Sequence, residues 1–257
     1  LLAEMEELTG CVAVLDTGRP GPTLAIRFDI DCVPVTECTD ETHVPAKEGF
    51  ISKNPGFMHA CGHDAHMSMG LAVAHWVMDN KDKLSGKIKI LFQPAEEGVR
   101  GAAGMAASGV LDDCDYFLGS HVAMSAKSGE IATNLYGYLC TTKLDVTFPQ
   151  DGRNALAAAA NATVQMMGIS RHSGGMTRIN VGQLIAGEGR NVIPSKAVMK
   201  LEVRGETGEI NQYMVDQVTN ICKGVALGFG VTYEMRKMGE AVDLTADQEL
   251  VDILNAA

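Results

Sequence analysis

Apolar runs that end in acidic or imidazole side chains constrain the fold of the first half of the chain. The runs at 24–31, 87–92 and 115–120 are predicted strands, and helical spacing occupies 67–78 and 101–107 between them. Alternating helices and apolar strands predict an α/β domain, with a mostly parallel sheet and helices on both faces. Sites in such sheets form beyond the carboxyl ends of the strands, which is where the polar side chains follow.

The segment Met58–His66 contains a thiol, three imidazoles and a carboxylate, a mixture that an ordinary core or surface segment does not need. Cys61 and His63 alternate across Gly62, so in an extended loop their side chains can converge on one point. This pattern predicts a metal site. The alternative is a buried structural cysteine beside surface histidines.

Further polar side chains follow the next two predicted strands. Glu96 and Glu97 lie between Pro94 and Gly98, and His121 closes the last run. Alone, the acidic pair would be a solvated surface feature. Together with a thiol and imidazoles it predicts metal-assisted hydrolysis, in which one acid binds metal while its neighbour, pointing elsewhere, takes a proton from water.

Two acids, Asp29 and Asp31, end the first of these strands. They are either turn-forming residues before Pro34 or residues that contact the metal ligands without binding the metal themselves. The polar segment 35–55 that follows is predicted to be a loop over the site.

The second half of the chain has a different order of elements. Its pattern predicts strand, helix, strand, strand, helix and strand, which is the split ferredoxin-like unit. The predicted ranges are 142–148, 155–167, 178–185, 198–204, 210–227 and 231–238. We therefore predict a ferredoxin-like domain at 140–237, inserted into a catalytic domain formed by 1–139 and 238–257.

Composition excludes several classes of partner. The net charge of -11, without a cluster of basic residues, argues against nucleic acid and anionic membranes. The seven cysteines are scattered and lack CxxC spacing, which favours reduced thiols in a cytoplasmic protein. We find no signal peptide or membrane-spanning run. The chain begins in one helix-like segment, Leu1–Leu8, and ends in another, Gln248–Ala257, so we expect it to be clipped at both ends.

These blocks together resemble the amidohydrolase branch of the aminoacylase and carboxypeptidase G metallopeptidases, which includes hydrolases of indole-3-acetyl-amino acids and of hippurate. The resemblance covers nearly the whole chain. The blocks that carry it are 28–31, 58–64, 93–98, 119–121 and 189–194, and those that narrow it to aminobenzoyl-glutamate hydrolysis are 111–117, 151–156 and 209–213.

The resemblance implies a metal-dependent amidohydrolase that cleaves N-acyl amino acids, with p-aminobenzoyl-glutamate as the expected substrate. It implies two divalent ions, Mn²⁺ or Zn²⁺, and Glu96 as the general base. The metal ligands that it implies are Cys61, His63, Glu97 and His121.

The resemblance also implies that Asn191 and Arg204 bind the substrate, with Arg204 clamping a carboxylate. Asn191 could instead be a turn residue before Pro194, and Arg204 an exposed strand residue. The inserted domain is implied to act as a lid and to form a homodimer, and a homologous second subunit is a further expected partner.

Two departures from the family pattern concern further histidines. A histidine-containing lid loop is missing where Phe148 runs into Pro149 and Asp151, and the last metal ligand of the family would lie beyond Ala257. Two other functions therefore stay open. The chain could be a non-catalytic homologue that binds metal or acyl-amino acids, or Cys61 could act as a nucleophile with His63.

Overall fold

The computed structural model of the protein describes residues 8–122, 126–149 and 153–257. The helix predicted at 1–8 lies outside this range except for its last residue. The chain divides into two compact units, 1–127 and 128–257. The predicted domain boundaries near 139 and 237, and the return of the last helix to the first domain, stay predictions.

The first unit contains a mixed four-stranded sheet. The strands are β1 (Cys11–Asp16), β2 (Thr23–Asp29), β3 (Lys87–Gln93) and β4 (Tyr116–Gly119). Their order in the sheet is β1-β3-β2-β4, and β2 is parallel to β3 and β4, whereas β1 pairs antiparallel with β3 at one edge. The sheet is therefore mostly parallel, as predicted, and β1 gives it its mixed character.

Both faces of this sheet are covered because the central strands are apolar on both sides. The helices of this unit are α1 (Val44–Glu48), α2 (His63–Asp79) and α3 (Gly101–Ala107). Ala25 and Leu91 pack with Met105 of α3 on one face, and the alternate residues Phe28 and Ile90 pack on the other, with residues of α2. Burying an aliphatic or aromatic side chain contributes roughly 1.5–3 kcal/mol.

Helix α2 begins earlier than the apolar spacing predicted, and this changes the geometry of the Cys/His segment. Gly62 precedes the helix with φ 88°, a left-handed conformation that favours glycine, and His63 is the first helical residue. The prediction that Cys61 and His63 lie in an extended loop was therefore wrong. The turn at Gly62, not strand-like alternation, directs their side chains.

The predicted loop at 35–55 is ordered by local contacts and contains helix α1. Val33 and Met58 form an isolated antiparallel bridge that closes the segment. Within it, the Glu37 carboxylate accepts hydrogen bonds from the Ser52 N–H and from the His43 ring.

The second unit contains an antiparallel four-stranded sheet. Its elements are β5 (Cys140–Phe148), α4 (Ala155–Met167), β6 (Thr177–Ala186), β7 (Ala197–Gly205), α5 (Gly208–Phe229), β8 (Glu234–Ala241) and α6 (Gln248–Ala256). The first six follow each other in the element order that the sequence predicted. The strand order in the sheet is β6-β7-β5-β8.

Helices α4 and α5 cover one face of this sheet. Val146 and Met199 alternate with polar residues along their strands and pack against Ala158 and Val218 of helices α4 and α5. The opposite face of the sheet therefore presents charged side chains to solvent.

Strand β8 ends at Ala241, beyond the boundary predicted at residue 237.

Among the described helices, none combines the length and apolar character that a membrane span requires.

Gly101, the first residue of α3, generates a prediction about stability. A Cβ at this position would lie 1.7 Å from the Pro94 carbonyl oxygen, so Gly101→Ala must displace backbone. We expect a loss of about 1–3 kcal/mol in the free energy of unfolding. The measurement is urea unfolding, followed by circular dichroism and by the fluorescence of Trp76, the single tryptophan, which lies in the same unit.

Gly208→Ala is the matched control, because Gly208 is the first residue of α5 and a Cβ there meets nothing within 4 Å. This change is expected to be neutral or to stabilise by up to about 1 kcal/mol. Equal unfolding midpoints for the two variants would contradict the close approach of Gly101 to Pro94.

Candidate metal centre

Asp31, just beyond β2, connects the other segments of the site. Its carboxylate oxygen Oδ2 accepts a hydrogen bond from the Glu97 N–H at 3.0 Å. Its backbone carbonyl accepts one from His63 Nδ1 at 2.8 Å. One residue thereby holds the start of helix α2 and the turn after β3 against the end of β2.

His63 is fully buried, and its tautomer follows from its contacts. A carbonyl oxygen can only accept, so Nδ1 carries a proton, and in the tautomer that this bond selects Nε2 keeps a lone pair. This Nε2 atom is buried and has no hydrogen-bond partner among the described residues. Because an unpaired buried nitrogen is costly, an orphaned lone pair of this kind fits a metal ligand.

Cys61 and His121 supply further donors beside His63. Cys61 Sγ lies 3.6 Å from His121 Nε2. His121 Nδ1 donates to the Val122 carbonyl at 2.5 Å, which again leaves Nε2 as the atom that can bind a cation. A Cβ at Gly62 would lie 2.4 Å from Val122 Cγ2, so the close approach of these two loops depends on glycine.

The acidic pair lies in a turn after β3 that is held in an unusual backbone conformation. Ala95 and Val99 on either side have φ 54° and 49°. The Glu96 carboxylate oxygen Oε2 lies 3.9 Å from His63 Nε2, and Glu97 is tied to Asp31 through its backbone. The turn therefore directs carboxylates toward the same imidazole that Cys61 and His121 approach.

The predicted residues of the first unit come together in two overlapping groups. Ligand atoms of Cys61, His63 and His121 lie within 4.8 Å of one another, and so do those of His63, Glu96 and Glu97. Both acids are within reach of His63, so the two carboxylates are not separated by direction as the sequence led us to expect. The division of roles between Glu96 and Glu97 stays a prediction.

The electrostatics of Cys61 favour a bound cation over a free nucleophile. Burial raises the pKa of the Cys61 thiol to about 11, and the nearby carboxylates Glu97 and Glu96 act in the same direction. A thiol in these surroundings is protonated and poorly reactive unless a positive charge compensates. A divalent cation supplies that charge, and sulfur, imidazole and carboxylate donors suit zinc-like transition metals. The donor set therefore fits a metal centre.

Two buried residues, Asp29 and His66, lie beside these ligands, and the sequence did not give them a definite role. His66 Nε2 accepts a hydrogen bond from the Val122 N–H at 3.0 Å, and His66 Nδ1 lies 3.6 Å from Asp29 Oδ2. Asp29 Oδ1 also forms an ion pair with Arg27 Nη2, at a distance of 2.7 Å. Burial raises the pKa of Asp29 to about 6 and lowers the pKa of His66 to about 4. The signal that could have identified His66 is its position three residues after His63, on the same helix face.

The residues predicted to bind substrate lie in the second unit. Asn191 is exposed in a turn before Pro194, the conformation of the alternative interpretation. Arg204 is exposed on β7, and its Nε donates to Glu202 Oε1 at 2.6 Å. Their roles in binding stay predictions. The missing lid loop was predicted at 149–151, and residues 150–152 lie outside the described ranges.

Comparisons with curated proteins give two strong similarities. The chain is 56% identical over 98% of its length to a p-aminobenzoyl-glutamate hydrolase homolog of Haemophilus influenzae, and spans 62% of that relative. It is 48% identical over 91% of its length to an indole-3-acetyl-aspartic acid hydrolase of Enterobacter agglomerans, and spans 56% of it. The chain therefore spans less than two thirds of these relatives.

Solved structures and a family model agree with these similarities. An aminobenzoyl-glutamate utilization protein from Klebsiella pneumoniae matches 96% of the chain with a TM-score of 0.81 and 39% identity, and the match covers 58% of that structure. A dinuclear metal binding peptidase of the M20 family from Bacillus subtilis matches 98% of it with a TM-score of 0.65 and 26% identity, covering 68% of that structure. The model of peptidase family M20/M25/M40 matches residues 25–257, and the chain therefore belongs to that family.

Proposed function

We propose that the protein is a metal-dependent amidohydrolase that cleaves the amide bond of N-acyl amino acids. The observation that carries the proposal is the orphaned Nε2 of buried His63, which sulfur, imidazole and carboxylate donors surround. We propose p-aminobenzoyl-glutamate as the substrate, giving p-aminobenzoate and glutamate, because two of the similar proteins are named for aminobenzoyl-glutamate. The similarity to an indole-3-acetyl-aspartic acid hydrolase supports other N-acyl amino acids as a second candidate.

In this proposal Cys61, His63, Glu97 and His121 hold a pair of divalent ions, Mn²⁺ or Zn²⁺. The B. subtilis structure, named as dinuclear, supports the number of ions. Such ions, when bound, make water more acidic and polarise the substrate carbonyl.

Glu96 is the group that we assign to proton transfer. Its carboxylate lies 3.9 Å from His63 Nε2, next to the proposed ligands. It takes the proton of the attacking water and passes it to the nitrogen of the leaving amino acid, which then departs as a neutral amine. Asp31 keeps Glu97 and His63 in place, since its carboxylate accepts a hydrogen bond from the Glu97 N–H and its carbonyl accepts one from the His63 ring.

For the second unit we propose an inserted ferredoxin-like lid that contributes Asn191 and Arg204 to substrate binding. Arg204 would exchange its bond to Glu202 for one to the substrate carboxylate. Strands β6 and β8 lie at the two edges of the sheet, and an edge strand can pair with a strand of another chain. These edges support the predicted homodimer, and a homologous second subunit is the alternative partner. A cytoplasmic location is part of the same proposal.

Exchange of Glu96 for glutamine tests the assigned base. Glu96→Gln keeps the size of the side chain and removes the proton acceptor, so we expect kcat to fall by about 10²–10⁴ while the metal content stays that of the wild type. The measurement is turnover of p-aminobenzoyl-glutamate by the full-length protein, with metal content determined by mass spectrometry.

Glu97→Gln is the matched control, since it removes the neighbouring carboxylate and should lower the metal content as well as the turnover. A chelator should abolish activity of the wild type, and Mn²⁺ or Zn²⁺ should restore it. Undiminished turnover by Glu96→Gln would remove Glu96 from its role.

Arg204→Gln tests the proposed carboxylate clamp. The loss of a charge-assisted hydrogen bond costs about 1.5–3 kcal/mol, so we expect KM for p-aminobenzoyl-glutamate to rise about 10- to 100-fold with a smaller change in kcat. Lys200→Gln is the control, because Lys200 is also exposed, lies on the same strand and face, and carries the same charge. An equal rise in KM for both variants would indicate a general charge effect instead of a clamp.

A further inference from the structure

The backbone and side chain of Val122 are held from three directions beside the proposed ligand His121. Its N–H donates to His66 Nε2 at 3.0 Å, and its carbonyl accepts from His121 Nδ1 at 2.5 Å. Its side chain lies over Gly62, where an added Cβ would come within 2.4 Å of Val122 Cγ2. The orientation of the His121 ring therefore depends on where the backbone of Val122 lies.

Beyond His66, polar contacts continue to the centre of the sheet. A peptide N–H can only donate, so His66 Nε2 accepts and the proton of the neutral ring lies on Nδ1, facing Asp29 Oδ2 at 3.6 Å. Arg27 Nη2 lies 2.7 Å from Asp29 Oδ1, and Arg27 Nε donates to Gln93 Oε1 at 2.9 Å. His66, which binds the Val122 N–H, therefore lies beside a polar cluster on strands β2 and β3, although its Nδ1 is beyond hydrogen-bond distance of Asp29.

Packing alone does not explain an imidazole at this position. His66 and Asp29 are both 0% exposed, and burying polar groups without full hydrogen bonding costs free energy that an apolar side chain would avoid. The His66 ring stacks on His63 with a centroid distance of 5.1 Å and meets the His121 ring edge-on at 4.4 Å. A flat ring with one acceptor nitrogen satisfies both contacts and the Val122 N–H.

Ligation by His66 itself is the competing interpretation. Asp29, His63 and His66 have ligand atoms within 4.8 Å of one another, as a metal site would require. However, His66 Nε2 is already used by a peptide N–H, and its Nδ1 carries the proton. Neither nitrogen of His66 offers a free lone pair in this arrangement.

We propose that His66, whose Nδ1 faces Asp29, is a positioning residue that fixes the backbone of Val122 and thereby aims His121 Nε2 at the bound cation. This inference rests on the proposed function because it takes His121 as a metal ligand. It concerns metal affinity, which can be measured whether or not the protein hydrolyses any amide.

The test compares two substitutions of His66 in the full-length protein. His66→Phe keeps a flat ring but removes the acceptor, and His66→Gln places an amide oxygen near the former Nε2. Loss of such an outer contact typically weakens metal affinity about 10- to 100-fold. We expect that loss for one of the two equivalents of Co²⁺ or Zn²⁺ in His66→Phe, and affinity close to wild type in His66→Gln, measured by titration of the metal-free protein.

Amide hydrogen exchange in the metal-free protein provides a second measurement. The Val122 N–H should exchange faster in His66→Phe and at the wild-type rate in His66→Gln, because only the second retains an acceptor. Thermal unfolding of the metal-free variants shows whether the fold is intact. If His66→Phe does not fold, His66→Asn replaces it, since its amide is too short to reach the Val122 N–H.

Three outcomes overturn the inference. Wild-type metal affinity in the variants without an acceptor would remove the positioning role. Loss of a whole metal equivalent in both His66→Phe and His66→Gln would make His66 a ligand. Unchanged exchange of the Val122 amide would contradict the hydrogen bond itself. A wild-type protein that binds metal but hydrolyses no N-acyl amino acid would instead contradict the proposed function and leave the comparison of affinities intact.

Discussion

The hydrogen bonds of Asp31 are the contacts on which the candidate metal centre depends. Its carbonyl sets the His63 tautomer, and its carboxylate holds the backbone of the acidic turn. These segments are distant in sequence, and Asp31 lies just beyond β2, a strand that is paired on both sides. Hydrogen bonds of this kind, made within the protein, would lower the cost of ordering the donors around an ion.

Charge explains why the arrangement calls for a cation. Glu96 and Glu97 lie near a thiol whose pKa they help to raise, and the buried Nε2 of His63 has no hydrogen-bond partner among the described residues. Like charges and unpaired lone pairs at such short distances oppose folding. A divalent cation held by these residues would offset each of these unfavourable contributions, because it would attract the carboxylates, stabilise the thiolate and accept the lone pair. Metal binding at this site would therefore be coupled to the stability of the region.

Periodicity predicted the regular elements well, because apolar residues at fixed spacing determine which face is buried. Helix α3 at 101–107 and helix α4 at 155–167 have the bounds that their patterns predicted. The start of α2 was missed because its first turn is polar, and only the left-handed Gly62 marks it. The last strand lies later than predicted, since the apolar Val231 packs in the core before the strand begins at Glu234.

Residue types identified the members of the candidate site, but not their connections. That Cys61, His63, Glu96, Glu97 and His121 come together could be predicted, because polar side chains after parallel strands meet at one edge. The roles of Asp31 and His66 depend on which backbone groups face them, and a sequence contains no direct record of that. The hydrogen bond to His66 of helix α2 comes from the main-chain N–H of Val122, a group that every non-proline residue carries, so no side-chain pattern could have indicated it.

Arg204 illustrates how the open face of the second sheet differs from the metal centre. Its guanidinium is exposed and already bonded to Glu202, which also lies 4.0 Å from Lys143. A carboxylate that binds Arg204 must compete with Glu202, so the exchange gains little unless the ligand offers better geometry or a second contact. Free carboxylates would then bind weakly.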